Sequence, residues 1–234
     1  MYGGDTMFFF FDVKPYIAII GDIRESKKIH DRNDVQLKLK NVLETINNKY
    51  GEEVSSKFMI TLGDEFQGLL WSGAKVLDII EEIQREMYPI QIRFGIGVGK
   101  ITTNINAGMA IGADGPGYYK AREAIEFLKR EEQKNKAPLS GIRIEVEEEM
   151  SNVSNLLNTI FSLMEVIKSN WTQRQREIIY EYENTGGSQL ECAKRVEITQ
   201  SSVQRSLKKG NYYEYTHAKK TVNSVLCEIG EEDV

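Results

Sequence analysis

The sequence predicts an α+β fold, and three observations carry that prediction. The run YIAIIGDI is continuously apolar, as expected for a buried central strand. Two more apolar runs, FMITL and FQGLLW, are separated only by Gly63, Asp64 and Glu65, which indicates a hairpin. Segments with helical spacing stand on both sides of this hairpin, and the alternating strand pattern IQIRFGIGVG follows. The order strand, helix, hairpin, helix and strand predicts a ferredoxin-like sheet of the palm type, with its helices on one face.

Local signals define the first strand and the helix after it. The strand covers residues 16–23, and Asn33 or Asp34 can cap the following helix because both side chains accept backbone N–H groups. The polar residue Asn47 and then Gly51 close that helix. Its apolar stripe consists of residues at helical spacing, namely Val35, Leu37, Leu39, Val42, Leu43 and Ile46.

The rest of the first domain is predicted in the same way. Ser72 is expected to cap a second helix that ends before Pro89. The alternation over 90–99 predicts a strand, and KITTNI is expected to continue as its hairpin partner. A helix from about Pro116 to Arg130 follows, and GIRIEVEEE predicts a last strand.

Composition excludes several classes of protein. The chain has 234 residues, of which 41% are hydrophobic and 28% charged, as in ordinary globular proteins. Its two cysteines, Cys192 and Cys227, show no metal-type spacing, which argues against a disulfide framework and fits a reducing cytosol. The apolar run Met7–Phe11 is too short to span a membrane and lacks the basic start of a signal peptide. We therefore expect a cytoplasmic protein without a membrane partner.

Charge is unevenly distributed along the chain. The net charge is −5, yet residues 171–226 carry nine Lys and Arg against six Asp and Glu. Such a basic island between acidic regions indicates a local nucleic-acid surface. Surface charge also varies by this much by chance, so charge alone leaves both interpretations open.

The sequence predicts three segments, because strand and helix signals alternate in the first part of the chain and only helical signals follow. Residues 1–150 form the palm domain, and residues 151–170 form a connecting helix with apolar residues at helical spacing. Core packing and a homodimer seam are the alternative uses of that helix. Residues 171–234 show little sign of strands and are predicted to form a helix-turn-helix DNA-binding domain.

Two predicted strand ends carry carboxylates. In a palm sheet the first strand neighbours the hairpin, so Asp22 would approach Asp64 and Glu65. Like charges repel unless a cation lies between them, and oxygen ligands suit Mg²⁺ or Mn²⁺. Two such ions can clamp a phosphoryl transfer. The alternative is turn chemistry, since Gly-Asp often reverses a chain.

The C-terminal segment matches the requirements of a helix-turn-helix. Ala193 provides the small residue of the first helix, Glu197 stands where a turn glycine is usual, and Val203 can lock the second helix, which Thr199 caps. A structural or protein-binding helical bundle is the alternative. Side chains predicted to contact bases and phosphates of double-stranded DNA are Gln200, Ser201, Ser202, Gln204, Arg205, Lys208 and Lys209.

The motif series of the first domain resembles two related enzyme families. The order IIGDI, TLGDEFQGLL, IRFGIGVGKI and GPGYYKAREA is similar to that of class III nucleotide cyclases and GGDEF diguanylate cyclases. This resemblance implies two Mg²⁺ ions held by Asp22, the carbonyl of Ile23 and Asp64. Leu62 replaces the first glycine of GGDEF.

The same resemblance implies residues for a nucleoside triphosphate. Arg122 matches the cyclase arginine that stabilises transition-state charge, whereas Tyr118 replaces the asparagine and Ile60 replaces the purine-selecting lysine. The loop that contains Ser26 and Lys27 would lie over the triphosphate, with a solvated charged loop as the alternative. Tyr118 would stack on the base or pack against the sheet.

Nearly the whole chain, including GADGPGYYKAREA and the helical C-terminal segment, resembles the SatD family of bacterial proteins. The first functional hypothesis is a DNA-binding regulator whose palm binds a Mg-nucleotide and acts as a nucleotide cyclase or nucleotidyltransferase. The second is a non-enzymatic transcription factor whose palm serves sensing or dimerisation. The third is a protein–protein adaptor.

Overall fold

The computed structural model describes residues 14–135, 140–146 and 150–229. Its Cα positions form two compact units. The first unit runs to Phe161 and also contains the chain from Val222 onward, and the second unit spans Ser162–Thr221. The domain boundaries expected from the sequence remain predictions.

The described residues form a mixed α+β structure, which confirms the predicted fold class. Its strands are β1 (Tyr16–Ile23), β2 (Val54–Leu62), β3 (Glu65–Leu70), β4 (Ile92–Gly99) and β5 (Ile142–Glu145). Its α-helices are α1 (Arg32–Lys49), α2 (Val76–Met87), α3 (Pro116–Asn135), α4 (Ser151–Ser169), α5 (Gln173–Asn184), α6 (Gln189–Arg195), α7 (Gln200–Lys209) and α8 (Tyr212–Cys227).

The sheet has the strand order β2-β3-β1-β4-β5. Strand β1 is antiparallel to both of its neighbours, β2 and β3 form an antiparallel hairpin, and β4 and β5 are parallel. The first four strands thus follow the ferredoxin-like order that the segment pattern predicted. Strand β1 lies at the centre, which explains its continuous apolar sequence.

Both faces of the central strands are buried. Helix α3 packs on the face that carries Ala18 and Ile20, where Ala121 and Ile125 join the same apolar cluster. The crossover helices α1 and α2 contact each other, and α1 contacts β2. Since α3 covers one face of β1 and β4, α1 and α2 provide the layer on the other face. The expectation of helices on one face is therefore correct for the crossover helices and wrong for α3.

Close approach of α3 to the sheet depends on two glycines of β4, Gly95 and Gly97. A Cβ atom on Gly97 would lie 2.0 Å from the carbonyl oxygen of Gly117 and 2.2 Å from the backbone nitrogen of Ala121. A Cβ atom on Gly95 would lie 2.3 Å from the carbonyl oxygen of Ala121. These glycines in the strand GIGVG therefore admit the helix backbone, as expected for glycine at a close backbone contact.

The side-chain caps predicted for the first two helices are wrong. Helix α1 begins at Arg32, so Asn33 and Asp34 both lie in its first turn, and no side chain caps it. The Ser72 hydroxyl instead accepts the backbone N–H of Ala74, and α2 begins at Val76, four residues after Ser72.

Two strand predictions also need correction. Among the described residues, KITTNI contains no strand, because the backbone N–H of Thr102 donates to the carbonyl of Asp114 in the loop before α3 (2.8 Å). Strand β5 ends at Glu145, and residues 147–149 of the predicted strand lie outside the described residues.

The apolar run Met7–Phe11 also lies outside the described residues. Within the described ranges no helix combines the length and apolarity that crossing a bilayer requires.

The second unit is built from short capped helices. Thr172 and Gln175 form a capping box at the start of α5, and the Ser188 and Thr199 side chains accept backbone N–H groups at the starts of α6 and α7. The Trp171 indole N–H donates to the carbonyl of Gly210 at 2.6 Å. The apolar core of the second unit contains Ile178, Ile179, Cys192, Ala193, Val203 and Leu207.

We expect Gly97→Ala to lower the free energy of unfolding by about 1–3 kcal/mol, because α3 has to move away from the sheet. Gly141→Ala is the matched control, since its Cβ atom would have no neighbour closer than 3.4 Å. Urea unfolding followed by circular dichroism measures both variants. An unchanged stability for Gly97→Ala would contradict the packing of α3 on β4.

Candidate functional site

A row of three charged residues crosses the centre of the sheet. Asp22 on β1 is paired with Glu65 on β3 and with Arg93 on β4. Residues directly opposite one another in a sheet point to the same face, and this face also carries α3. The backbone N–H of Ile23 donates to the carbonyl of Asp64 at 3.0 Å, so the two predicted aspartates lie on neighbouring backbone segments.

The chain's own cations neutralise Asp22. Its side chain is only 6% exposed, Arg93 Nη1 lies 2.5 Å from Oδ2, and Lys129 Nζ lies 2.7 Å from Oδ1. Both carboxylate oxygens of Asp22 thus have a cationic partner. The charge compensation that the sequence assigned to a metal ion is supplied here by an arginine of β4 and a lysine of α3.

Arg93 links Asp22 to a second carboxylate. Its Nη2 lies 2.5 Å from Glu132 Oε2 on α3, and Glu132 Oε1 lies 3.1 Å from Arg24 Nε. Burial disfavours the charged form of Arg93, but Glu132 and Asp22 outweigh that effect and raise the pKa of the guanidinium. Arg93 therefore stays charged, which keeps Asp22 and Glu132 compensated.

Glu65 is held from the other side of the row. Arg122 Nη1 lies 2.5 Å from Glu65 Oε2, whereas Glu65 Oε1 is buried and has no hydrogen-bond partner within the described ranges. The Ser26 hydroxyl donates to Asp64 Oδ2. Residues Arg122 and Ser26, which the resemblance assigned to the nucleotide, are thus in contact with the two carboxylates of the hairpin.

The other two nucleotide-binding candidates lie in different surroundings. Lys27 is exposed in a short 3₁₀ helix, Ser26–Lys28, directly after β1. Tyr118 is 6% exposed and packs against Ala18, Ile20 and Leu69 in the core. Burial raises the pKa of the Tyr118 phenol. The ring therefore occupies the packed position that the sequence offered as the alternative to base stacking.

The residues present do not fit a magnesium centre in this arrangement. Among the described residues no group of three His, Cys, Asp or Glu side chains is placed to hold a metal ion. Both oxygens of Asp22 are paired with cations, and one oxygen each of Asp64 and Glu65 is hydrogen-bonded or paired within the protein. A divalent ion at Asp22 would have to displace Arg93 or Lys129. The magnesium site remains a prediction.

Sequence reasoning missed Arg93, Lys129 and Glu132. A signal for the last two existed, since Arg122, Lys129 and Glu132 recur on one side of α3 at helical spacing. Arg93 is the polar position opposite Asp22 in an otherwise apolar strand. Without the register of β1 against β4, that arginine could not be assigned to a partner.

The second unit carries a separate candidate site on α6 and α7. These helices are joined by residues 196–199, and Glu197 has φ 55°, the left-handed conformation that favours glycine. This conformation explains why glycine is usual at such a turn. Ala193 and Val203 are 5% and 0% exposed, so both lie in the core of the unit. The Thr199 hydroxyl accepts the backbone N–H of Ser202 at 3.2 Å and caps α7.

Helix α7 buries one side and exposes the other. Val203 and Leu207 face the core, and the helix contains no acidic residue. Ser202 is half-buried, and within the described ranges the cationic groups of Arg205, Lys208 and Lys209 have no carboxylate at ion-pair distance. We call the exposed set the α7 strip, and it consists of Gln200, Ser201, Gln204, Arg205, Lys208 and Lys209.

Comparison with known proteins identifies the family. The family model described as the SatD family matches residues 16–226, and the chain therefore belongs to the SatD family. No curated protein matches the chain.

Solved structures similar to this chain include two cyclases. The adenylyl cyclase CyaB from P. aeruginosa is 16% identical with a TM-score of 0.41, covering 60% of this chain and 80% of that one. The guanylate cyclase domain of RhGC from Catenaria anguillulae, in complex with GTP, is 14% identical with a TM-score of 0.39, covering 59% and 81%. The Regulator of Polyketide Synthase Expression from Bifidobacterium adolescentis is 14% identical with a TM-score of 0.27, covering 92% and 80%.

We expect Arg93→Met to lower the free energy of unfolding by about 3–5 kcal/mol, because it leaves two largely buried carboxylates without their shared cation. Lys120→Met is the control on α3, since Lys120 pairs with the exposed Glu123 and such pairs contribute about 0.2–1 kcal/mol. Thermal and urea unfolding measure both variants. Equal effects of the two substitutions would contradict the charge compensation of Asp22.

Proposed function

We propose that this protein is a DNA-binding regulator that contacts double-stranded DNA through the α7 strip. The observation that carries this proposal is a helix whose exposed side bears Arg205, Lys208 and Lys209 with no carboxylate partner among the described residues. Unpaired cations on one exposed side favour a polyanion as partner. The turn between α6 and α7 supports the helix-turn-helix interpretation.

The dimensions of α7 suit the major groove of B-DNA. Its ten residues give a length of about 15 Å, and that groove admits an α-helix. In helix-turn-helix proteins the first residues of the second helix contact base edges. Gln200, Ser201, Gln204 and Arg205 would therefore contact bases, and Lys208 and Lys209 would contact phosphates. Ser202 is half-buried near the start of α7, so we assign it a phosphate contact and no base contact.

We propose that the palm serves sensing or dimerisation in this regulator without metal-dependent catalysis. The compensation of Asp22 by Arg93 and Lys129 supports this role, because a buried carboxylate with two cationic partners has little tendency to take up a third cation. In this role the protein would act in the cytoplasm, and a homodimer would present two copies of α7 to two DNA half-sites.

A second candidate role for the palm is the binding of a nucleoside triphosphate with Mg²⁺, followed by cyclisation or nucleotidyl transfer. The adjacent backbones of Ile23 and Asp64 favour it, as does the buried Glu65 Oε1, which has no partner within the described ranges. It requires Arg93 and Lys129 to leave Asp22, and those cations would then be available to phosphate oxygens.

For the DNA proposal, we expect Arg205→Ala to weaken binding to a selected duplex by about 5- to 150-fold, the range for one base-contacting arginine. We expect Lys208→Ala and Lys209→Ala to weaken binding to all duplexes alike and to reduce the salt slope by about 1 each. Fluorescence anisotropy over a range of salt concentrations measures these effects.

The control for the DNA proposal is Lys220→Ala, which removes an exposed positive charge from α8 and leaves the α7 strip intact. Its affinity should stay close to that of the wild type. If the wild-type protein retains no duplex at low salt, the DNA-binding proposal fails.

For the palm, we expect calorimetry with each nucleoside triphosphate to give the same result with and without Mg²⁺. The physical reason is that the cations of the chain already compensate Asp22. Asp22→Asn combined with Asp64→Asn is the comparison variant, with circular dichroism to verify folding. Magnesium-dependent binding that this variant abolishes would contradict a palm without a metal site and support the second candidate.

A further inference from the structure

Gln204 lies in the middle of the α7 strip. It is exposed, it follows Gln200 by one helical turn, and Arg205 is the next residue. Val203 on the other side of the helix is fully buried, which fixes the side of α7 on which Gln204 stands. If α7 enters the major groove, Gln204 is one of the residues that reach base edges.

The amide oxygen of Gln204 is occupied by two neighbours. The hydroxyl of Tyr213 donates to Gln204 Oε1 at 3.1 Å, and Gln189 Nε2 donates to the same oxygen. Gln189 Nε2 also lies 3.4 Å from the Tyr213 hydroxyl, so the three polar groups form one cluster. A carbonyl oxygen has two lone pairs, and here both have a donor.

The amide nitrogen of Gln204 remains available. Within the described ranges Gln204 Nε2 has no hydrogen-bond acceptor. This nitrogen carries two N–H donors. Gln189 and Tyr213 thus fix the orientation of the amide, with its acceptor turned toward α6 and α8 and its donors toward solvent.

A glutamine that can only donate recognises a restricted set of bases. The usual bidentate contact with adenine needs the glutamine oxygen to accept from the adenine amino group while the nitrogen donates to N7. Gln204 cannot make this bidentate contact, because its amide oxygen already accepts hydrogen bonds from Gln189 and Tyr213. Single donation to guanine N7 or O6 or to thymine O4 stays open. Adenine N7 is a poorer acceptor for this amide because the adenine amino donor stands beside it, and cytosine presents only an amino donor in the major groove.

We infer that Gln204 is a specificity-determining residue that presents only hydrogen-bond donors to DNA, so that it favours guanine or thymine and rejects cytosine at one position of the target. This inference rests on the DNA-binding function proposed above. Gln189 and Tyr213 act as positioning residues, because they contact Gln204 and hold its amide in one orientation.

Selection of bound duplexes from a randomised double-stranded DNA library by the full chain tests the inference. The position read by Gln204 is the one at which base preference disappears in Gln204→Ala. The wild type should exclude cytosine there. Gln204→Glu, whose carboxylate only accepts hydrogen bonds, should instead select cytosine through its amino group.

The decisive variant combines Gln189→Ala with Tyr213→Phe, which removes both donors and keeps the aromatic ring of residue 213. Because the Gln204 oxygen is then available, preference for adenine at that position should rise about tenfold, within the range for a bidentate contact. Lys209→Ala is the control, and it should weaken binding to all duplexes without changing base preference.

The outcomes separate this inference from the proposed function. If duplexes are bound but the Gln189→Ala/Tyr213→Phe protein selects the same bases as the wild type, the donor-only role of Gln204 is wrong and DNA binding stands. Selection of cytosine by the wild type at the Gln204 position overturns it as well. If the wild type binds no duplex at low salt, both proposals fail.

Discussion

The buried ion pair between Asp22 and Arg93 is the interaction on which the palm depends. A carboxylate that is 6% exposed needs a partner, and Arg93 at 11% exposure and Lys129 supply two positive charges. Arg93 reaches Asp22 only in the register observed between β1 and β4, and Lys129 only when α3 lies on that face. One buried charge therefore constrains both the strand pairing and the position of the helix.

Close packing of α3 and this charge network support each other. Gly95 and Gly97 let the helix backbone approach β4, which brings Arg122 to Glu65 and Lys129 to Asp22. A palm sheet with carboxylates at these positions can be neutralised by divalent cations or by its own side chains. In this chain the side chains of β4 and α3 provide the charge at Asp22.

The two units differ in whether their charged side chains are paired. In the palm, buried carboxylates are each tied to an arginine or lysine, and the resulting network is internal. On α7, Arg205, Lys208 and Lys209 point to solvent without a carboxylate among the described residues. Paired buried charges stabilise one arrangement of the fold, whereas unpaired exposed cations are available to an anionic partner.

Local signals in the sequence were sufficient for the apolar strand β1, the hairpin turn at Gly63 and Asp64, and the exposed side of α7. They also gave most of the buried stripe of α1, although Leu37 of the predicted stripe is exposed. The sequence did not determine the contacts that long-range register creates. The partners of Asp22 and the orientation of Gln204 join residues on different elements, and KITTNI lost its predicted strand to a hydrogen bond with Asp114. Periodicity reports which side of an element is buried, but only tertiary packing decides which charges and hydrogen-bonding groups meet there.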